Sequence, residues 1–96
     1  MKFWDSSAIV PLCVKEPSSD TVRSLLADDR SLVIWWATRV ECVSTFMRQV
    51  RAGALSAVGE RQARQVLATL ARSWIEIQPT EILRRTAERL LAVHPL

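Results

Sequence analysis

The 96-residue chain has few of the residues that interrupt helices or bind soft metals: it contains 2 Gly, 4 Pro, 2 Cys and a single His. Scarce Gly and Pro, together with abundant Ala, Leu and Arg, favour helices. No uncharged run approaches the roughly 20 residues that a membrane-spanning helix needs. The short apolar run after Met1 ends at Asp5, which is unlike a secretory signal. We therefore expect a helix-rich globular protein of the cytoplasm, without a membrane partner.

The cysteines and the histidine lack the spacing of a zinc site. Cys13 and Cys42 are far apart and form no Cys-x-x-Cys pair, and His94 is the only imidazole. This pattern predicts two reduced, buried cysteines, as is usual in cytosolic proteins. His94 follows a predicted helix, where a histidine more often stabilises the helix end than acts in catalysis.

Charge is unevenly distributed along the chain. Residues 1–37 carry a net charge of −1 and residues 38–96 carry +4, and Arg outnumbers Lys by 11 to 2. The guanidinium presents a fork of donors that matches phosphate. Phosphate binding and a solvated helical surface both explain this composition, which on its own favours the solvated surface.

Apolar patterns of strand and helix length alternate along the chain. The strands are predicted at 2–4, 32–35 and 74–77, and the helices at about 8–14, 19–28, 39–52 and 56–72 and from Thr80 onward. This alternation predicts one α/β domain, with helices on both faces of a parallel sheet.

In the third helix, Val40, Val43, Met47 and Val50 repeat at helical spacing and are expected to face the core beside Phe46. The tryptophans of the strands, Trp4, Trp35 and Trp74, are expected in the core. For Trp36, packing against a helix is favoured over stacking on RNA bases.

Two carboxylates stand where strands give way to helices. Asp5 ends the first strand, and Glu41 begins the helix that follows the second. Each has a structural explanation: Asp5 can cap a helix, and Thr38 with Glu41 fits a capping box. The carboxyl ends of parallel strands nevertheless form the ligand-binding edge of such sheets. The two acids together would offer oxygen ligands to Mg²⁺ or Mn²⁺.

Several segments resemble the PIN domains of VapC-type toxins. They are the opening Lys2–Val10 with its Asp-Ser-Ser, the turn Glu16-Pro17-Ser18-Ser19, the segment Thr38-Arg39-Val40-Glu41, and the stretch from Arg48 to Leu55 with the helix after it. The resemblance implies a metal-dependent endoribonuclease that uses Mg²⁺ or Mn²⁺. Asp5 and Glu41 would be two of its four metal-binding and catalytic acids, and the Ser6 hydroxyl would support these ligands or position water. RNA as substrate, a cognate antitoxin protein, a homodimer and a cytoplasmic location are implied as well.

In the family, the third and fourth acids follow later than Leu96. We therefore expect residues 1–96 to form a single three-layer α/β/α PIN-like domain that is incomplete at its C-terminus, with three strands and about five helices. No other acid is an obvious substitute, and Glu76, Glu81, Glu88 and Asp28-Asp29 are expected on the surface. The alternative to an enzyme is an inactive remnant that serves as a dimerisation or antitoxin-binding module. A nucleotide-binding α/β protein is disfavoured, because no glycine follows the first strand.

Overall fold

The computed structural model describes residues 2–80, 84–86, 88 and 89. Its elements in chain order are β1 (Lys2–Trp4), α1 (Ser6–Cys13), α2 (Ser19–Asp28), β2 (Leu32–Trp35), α3 (Thr38–Arg51), α4 (Ala57–Ala71) and β3 (Ile75–Ile77). Residues 84–86, 88 and 89 are also helical and belong to the fifth helix. The predicted α/β class, with three strands and five helices, is confirmed. No helix within the described ranges is long and apolar enough to span a bilayer.

The three strands form a parallel sheet in the order β1-β2-β3. Trp4 pairs with Ile34, and Trp35 pairs with Ile77, so the strands run in step towards one edge. The central strand β2 buries Leu32, Val33 and Ile34. Its uninterrupted apolar run is typical of a strand that is covered on both faces.

Helices α1 to α4 pack against one face of this sheet. The chain moves across the sheet in a single direction, and right-handed crossovers therefore put all four helices on the same side. Their buried side chains form one core with those of β1, β2 and the residue before β3: Trp4, Ile9, Val10, Val14, Val22, Leu32, Ile34, Cys42, Phe46, Ala63, Leu67 and Trp74.

The opposite face of the sheet carries a second apolar row. Phe3, Val33 and Ile75 lie side by side in the register of the three strands. Val33 is buried, whereas Phe3 is 61% exposed and Ile75 is 49% exposed. The helix layer expected on this face stays a prediction.

Helix α3 is rotated relative to its predicted orientation. Thr38, Cys42 and Phe46 form its buried stripe, while Val40 is 68% exposed and Met47 is exposed too. The prediction that Val40, Met47 and Val50 face the core was therefore wrong, whereas Val43 packs against the core as expected. Both stripes have helical spacing, and in the folded protein the stripe that contains Phe46 turns inward.

The remaining packing predictions were partly right. In α4, Ala63 and Leu67 are buried, whereas Val58 and Val66 are exposed. Trp4 and Trp74 lie in the core, and Trp35 is half-buried. The ring centre of Trp36 lies 6.3 Å from that of Trp35.

Candidate functional site

Asp5 lies directly after β1 and is the N-cap of α1. Its Oδ1 accepts hydrogen bonds from the Ala8 amide at 3.2 Å and from the Ser7 hydroxyl at 2.6 Å. The capping role considered for Asp5 is therefore real, and it satisfies an amide that would otherwise lack a partner. Both bonds fall on Oδ1, so Oδ2 accepts neither of them. The exposed carboxylate is thus held in place through Oδ1, and Oδ2 takes no part in capping the helix.

Glu41 lies in the first turn of α3 and is exposed. The predicted capping box is wrong: the helix already begins at Thr38, which is buried, and the capping position is occupied by Ala37 without a side-chain hydrogen bond. Within the part of the chain that the structure describes, no hydrogen bond or ion pair engages the Glu41 carboxylate. A capping box therefore does not account for this acid, although a negative charge in the first turn of a helix is favourable.

Asp5 and Glu41 lie at the same edge of the sheet. Each follows the carboxyl end of one of two adjacent parallel strands. Ser6, which is next to Asp5 in the chain, lines a cavity of about 290 Å³ together with Glu41. Burial raises the pKa of the Cys42 thiol to about 11, and the negative charges of Glu41 and Asp5 add to this rise.

A polar groove runs beside this acid pair, where α1 packs against α3. It consists of two adjoining cavities of about 340 and 290 Å³ that share Ser6, Thr45 and Arg48. The remaining lining residues of the first are Ser7, Val10 and Glu16, and those of the second are Val40, Glu41 and Ser44. We call this feature the α1–α3 groove. Ser6, which the resemblance singled out, is half-buried and lies between the two cavities, next to Asp5.

Hydrogen bonds order the side chains along this groove. Arg48 donates from Nη2 to the Thr45 hydroxyl at 3.0 Å, and that hydroxyl donates to the backbone oxygen of Glu41 at 3.0 Å. Glu16 accepts a hydrogen bond from Gln49 Nε2 at 3.2 Å. Among the lining residues that the structure describes, Arg48 is the only cation, so its positive charge shares the groove with the acids.

The donor set suits a metal that shares its coordination with a substrate. Within the described residues, no group of three or more His, Cys, Asp or Glu side chains is arranged to hold an ion. Mg²⁺ is usually held by one or two carboxylates, with water and substrate phosphate as its other ligands. Asp5 and Glu41, with the hydroxyl of Ser6 nearby, fit such an open site and do not form a closed cage.

The other acids that were considered lie on the surface. Glu76 is exposed and accepts a hydrogen bond from Gln78 Nε2 at 2.6 Å. Asp28 and Glu88 are exposed, and Asp29 is half-buried. Glu81 and His94 lie outside the described residues. None of the described acids in this group lines the α1–α3 groove.

The sequence analysis did not identify the part of the α1–α3 groove that follows Glu41 along α3. Ser44, Thr45 and Arg48 were not recognised as site residues, although they follow Glu41 at spacings of three, four and seven residues. Side chains at these spacings share one face of a helix. That spacing was the signal available from the sequence.

No protein-family model matches this chain, and no curated protein matches it significantly. The resemblance to PIN domains thus depends on the sequence segments quoted above.

Proposed function

We propose that this chain is a PIN-like, VapC-type endoribonuclease, in which Asp5 and Glu41 bind Mg²⁺ or Mn²⁺ and direct the hydrolysis of RNA phosphodiester bonds. One observation carries the proposal: Asp5 and Glu41 each follow the carboxyl end of one of two adjacent parallel strands, and Ser6 beside Asp5 lines a cavity together with Glu41. The edge at the carboxyl ends of the strands is where ligands bind in sheets of this kind.

Each residue of the site has a distinct task in this proposal. Asp5 is held by Ser7 and by the first turn of α1, so its orientation is set before a ligand arrives. Glu41 is exposed on the neighbouring helix and completes the pair. Ser6 supplies a hydroxyl that supports the acids or positions water. When bound, a divalent ion would activate water and neutralise charge at the phosphate.

The test is cleavage of structured RNA by the protein with Mg²⁺ or Mn²⁺ present. Asp5→Asn and Glu41→Gln remove the charges and keep the size of the side chains, and Asn also remains a good N-cap. Loss of groups that merely orient metal ligands costs about 10- to 100-fold. We therefore expect each variant to lose at least about 100-fold in cleavage rate, since an anionic metal ligand is replaced by a neutral one.

Glu76→Gln is the matched control, because Glu76 is an exposed acid of the same sheet that lies away from the groove. It should cleave like the unmodified protein. Mn²⁺ binding followed by electron paramagnetic resonance gives a second readout that needs no RNA. Absence of cleavage with both metals, or equal rates in all variants, would falsify the proposal.

The same proposal includes the partners of the family. A cognate antitoxin protein and a homodimer are expected for a VapC-type toxin, and so is a cytoplasmic location.

The second candidate function is an inactive binding module, and one observation favours it. Phe3 and Ile75 expose apolar surface on one face of the sheet, and β1 pairs only with β2 in the described sheet. An unpaired strand edge invites pairing with another chain.

A further inference from the structure

We propose that Arg48, which is held by Thr45, forms with the hydroxyl of Ser44 a subsite that binds the RNA phosphate neighbouring the one at the Asp5–Glu41 pair. This inference rests on the proposed ribonuclease function. It adds the path of the substrate: the RNA backbone follows the α1–α3 groove from the acid pair towards Arg48.

The direction follows from the geometry of α3. Glu41, Thr45 and Arg48 lie on one face of the helix, and seven residues correspond to about 10 Å along its axis. Both cavities of the groove include Thr45 and Arg48, and one of them also includes Glu41. A continuous polar surface therefore leads from the acid pair to the guanidinium.

Arg48 is positioned, but its charge is not matched by a described acid. One of its nitrogens donates to Thr45, while Glu16, the other acid of the groove, engages Gln49. Within residues 2–80, no ion pair joins Arg48 to Glu16 or to Glu41. A guanidinium has five donors, and most of those of Arg48 are left for a ligand. Phosphate accepts two of them at once in a fork, which gives both strength and orientation.

The groove also needs a cation for electrostatic reasons. Glu16 and Glu41 are both acidic, and they would repel a polyanion that entered the groove. Of the described lining residues, Arg48 alone carries the positive charge that opposes this repulsion. A phosphate at Arg48 would therefore draw the RNA into a surface that otherwise disfavours it.

A helix-end role alone does not distinguish Arg48 from its neighbour Arg51. Both are basic residues in the last turn of α3, where positive charge is favourable. Arg51, however, lines a different and more apolar cavity, with Met47, Val50 and residues of α4. The two arginines thus share helix position and exposure and differ in the groove they line, which makes Arg51 the matched control.

The test measures equilibrium binding of a fluorescein-labelled single-stranded RNA by fluorescence anisotropy, with EDTA present so that no cleavage occurs. The variants are Arg48→Ala, Arg48→Lys and Arg51→Ala, and circular dichroism verifies that each is folded. We expect Arg48→Ala to weaken binding about tenfold, as for loss of a hydrogen bond to a charged group. The slope of log affinity against log salt should fall by about 0.7, the value for one phosphate contact on a single strand.

Lysine binds phosphate as a point charge without the fork, so Arg48→Lys should recover most of the affinity lost in the alanine variant. Arg51→Ala should change affinity less than about twofold, as for a surface charge outside the site. Equal losses in Arg48→Ala and Arg51→Ala, or no RNA binding by the unmodified protein, would overturn the subsite. Arg48-dependent binding without cleavage in Mg²⁺ or Mn²⁺ would support the subsite and overturn the nuclease proposal alone.

Discussion

Asp5 combines a structural role with a chemical role that we propose. Its Oδ1 caps α1, and in the proposed site its negative charge binds a divalent ion together with Glu41. A residue that only capped the helix would be replaceable by serine or asparagine. Charge-neutral substitutions that keep the cap therefore separate the two roles. The asparagine variant proposed for the cleavage test uses this separation.

The two cysteine thiols should make the protein less stable at alkaline pH. Burial raises the pKa of Cys13 to about 12, with a further contribution from Cys42, and raises that of Cys42 to about 11. The ordinary value is 9.0. Above that pH the unfolded chain loses thiol protons that the folded chain keeps, so the unfolded state gains stability. The contribution of the two protonated thiols to the free energy of unfolding is complete below pH 9.0. It is lost as the pH rises towards about 11 for Cys42 and about 12 for Cys13.

Urea unfolding at a series of alkaline pH values would measure this effect. The chain has no tyrosine and only two lysines, so few other groups titrate in this range. Cys42→Ala should be less stable at neutral pH, because Cys42 is fully buried. Its stability should nevertheless fall less steeply above about pH 9 than that of the unmodified protein. Parallel pH profiles for the two proteins would show that Cys42 keeps an ordinary pKa.

At the scale of single elements, the rotation of α3 determines which residues carry stability. Phe46 is completely buried, whereas Val40 on the same helix is 68% exposed. We expect Phe46→Ala to lower the free energy of unfolding by about 3–5 kcal/mol. Val40→Ala should change it by less than about 0.5 kcal/mol, because surface substitutions have small effects. Chemical unfolding of both variants measures the difference. A larger loss in Val40→Ala than in Phe46→Ala would restore the helix orientation expected from the sequence.

The elements themselves could be read from the sequence because their patterns are local. Apolar runs fix β1 and β2, and the Ala52-Gly53 pair marks the end of α3, where Gly53 adopts the positive φ of 75°. The rotation of α3 is not local, because the stripe through Val40 and the stripe through Phe46 have the same period. Contact with α1 and the sheet decides between them, and one sequence does not contain that contact.

The same distinction applies to the candidate site, where one part could be predicted from local sequence and another part could not. Asp5 and Glu41 could be found because strand ends in a parallel sheet meet at one edge. The α1–α3 groove could not, since it exists only where two helices pack side by side. Arg48 therefore looked like an ordinary surface arginine among the 11 in the chain.

At the scale of the whole molecule, the two faces of the sheet are unequal. Four helices bury one face, and the other carries Phe3 and Ile75 as exposed apolar side chains beside the buried Val33. β1 is also an edge strand in the described sheet. Exposed apolar surface and an unpaired strand edge both favour association. Since every copy carries the same edge, a second copy of the chain is the partner we expect.

Self-association through β1 should therefore depend on Phe3. Sedimentation velocity over a range of protein concentrations should show a dimer that grows with concentration. Phe3→Thr removes the apolar ring but keeps a residue that favours strands, so it should shift the equilibrium towards monomer. Val58→Thr is the matched control, because Val58 is an exposed apolar residue on α4, away from the sheet. A strict monomer at high concentration would contradict association altogether. Equal weakening by both substitutions would place the contact away from β1.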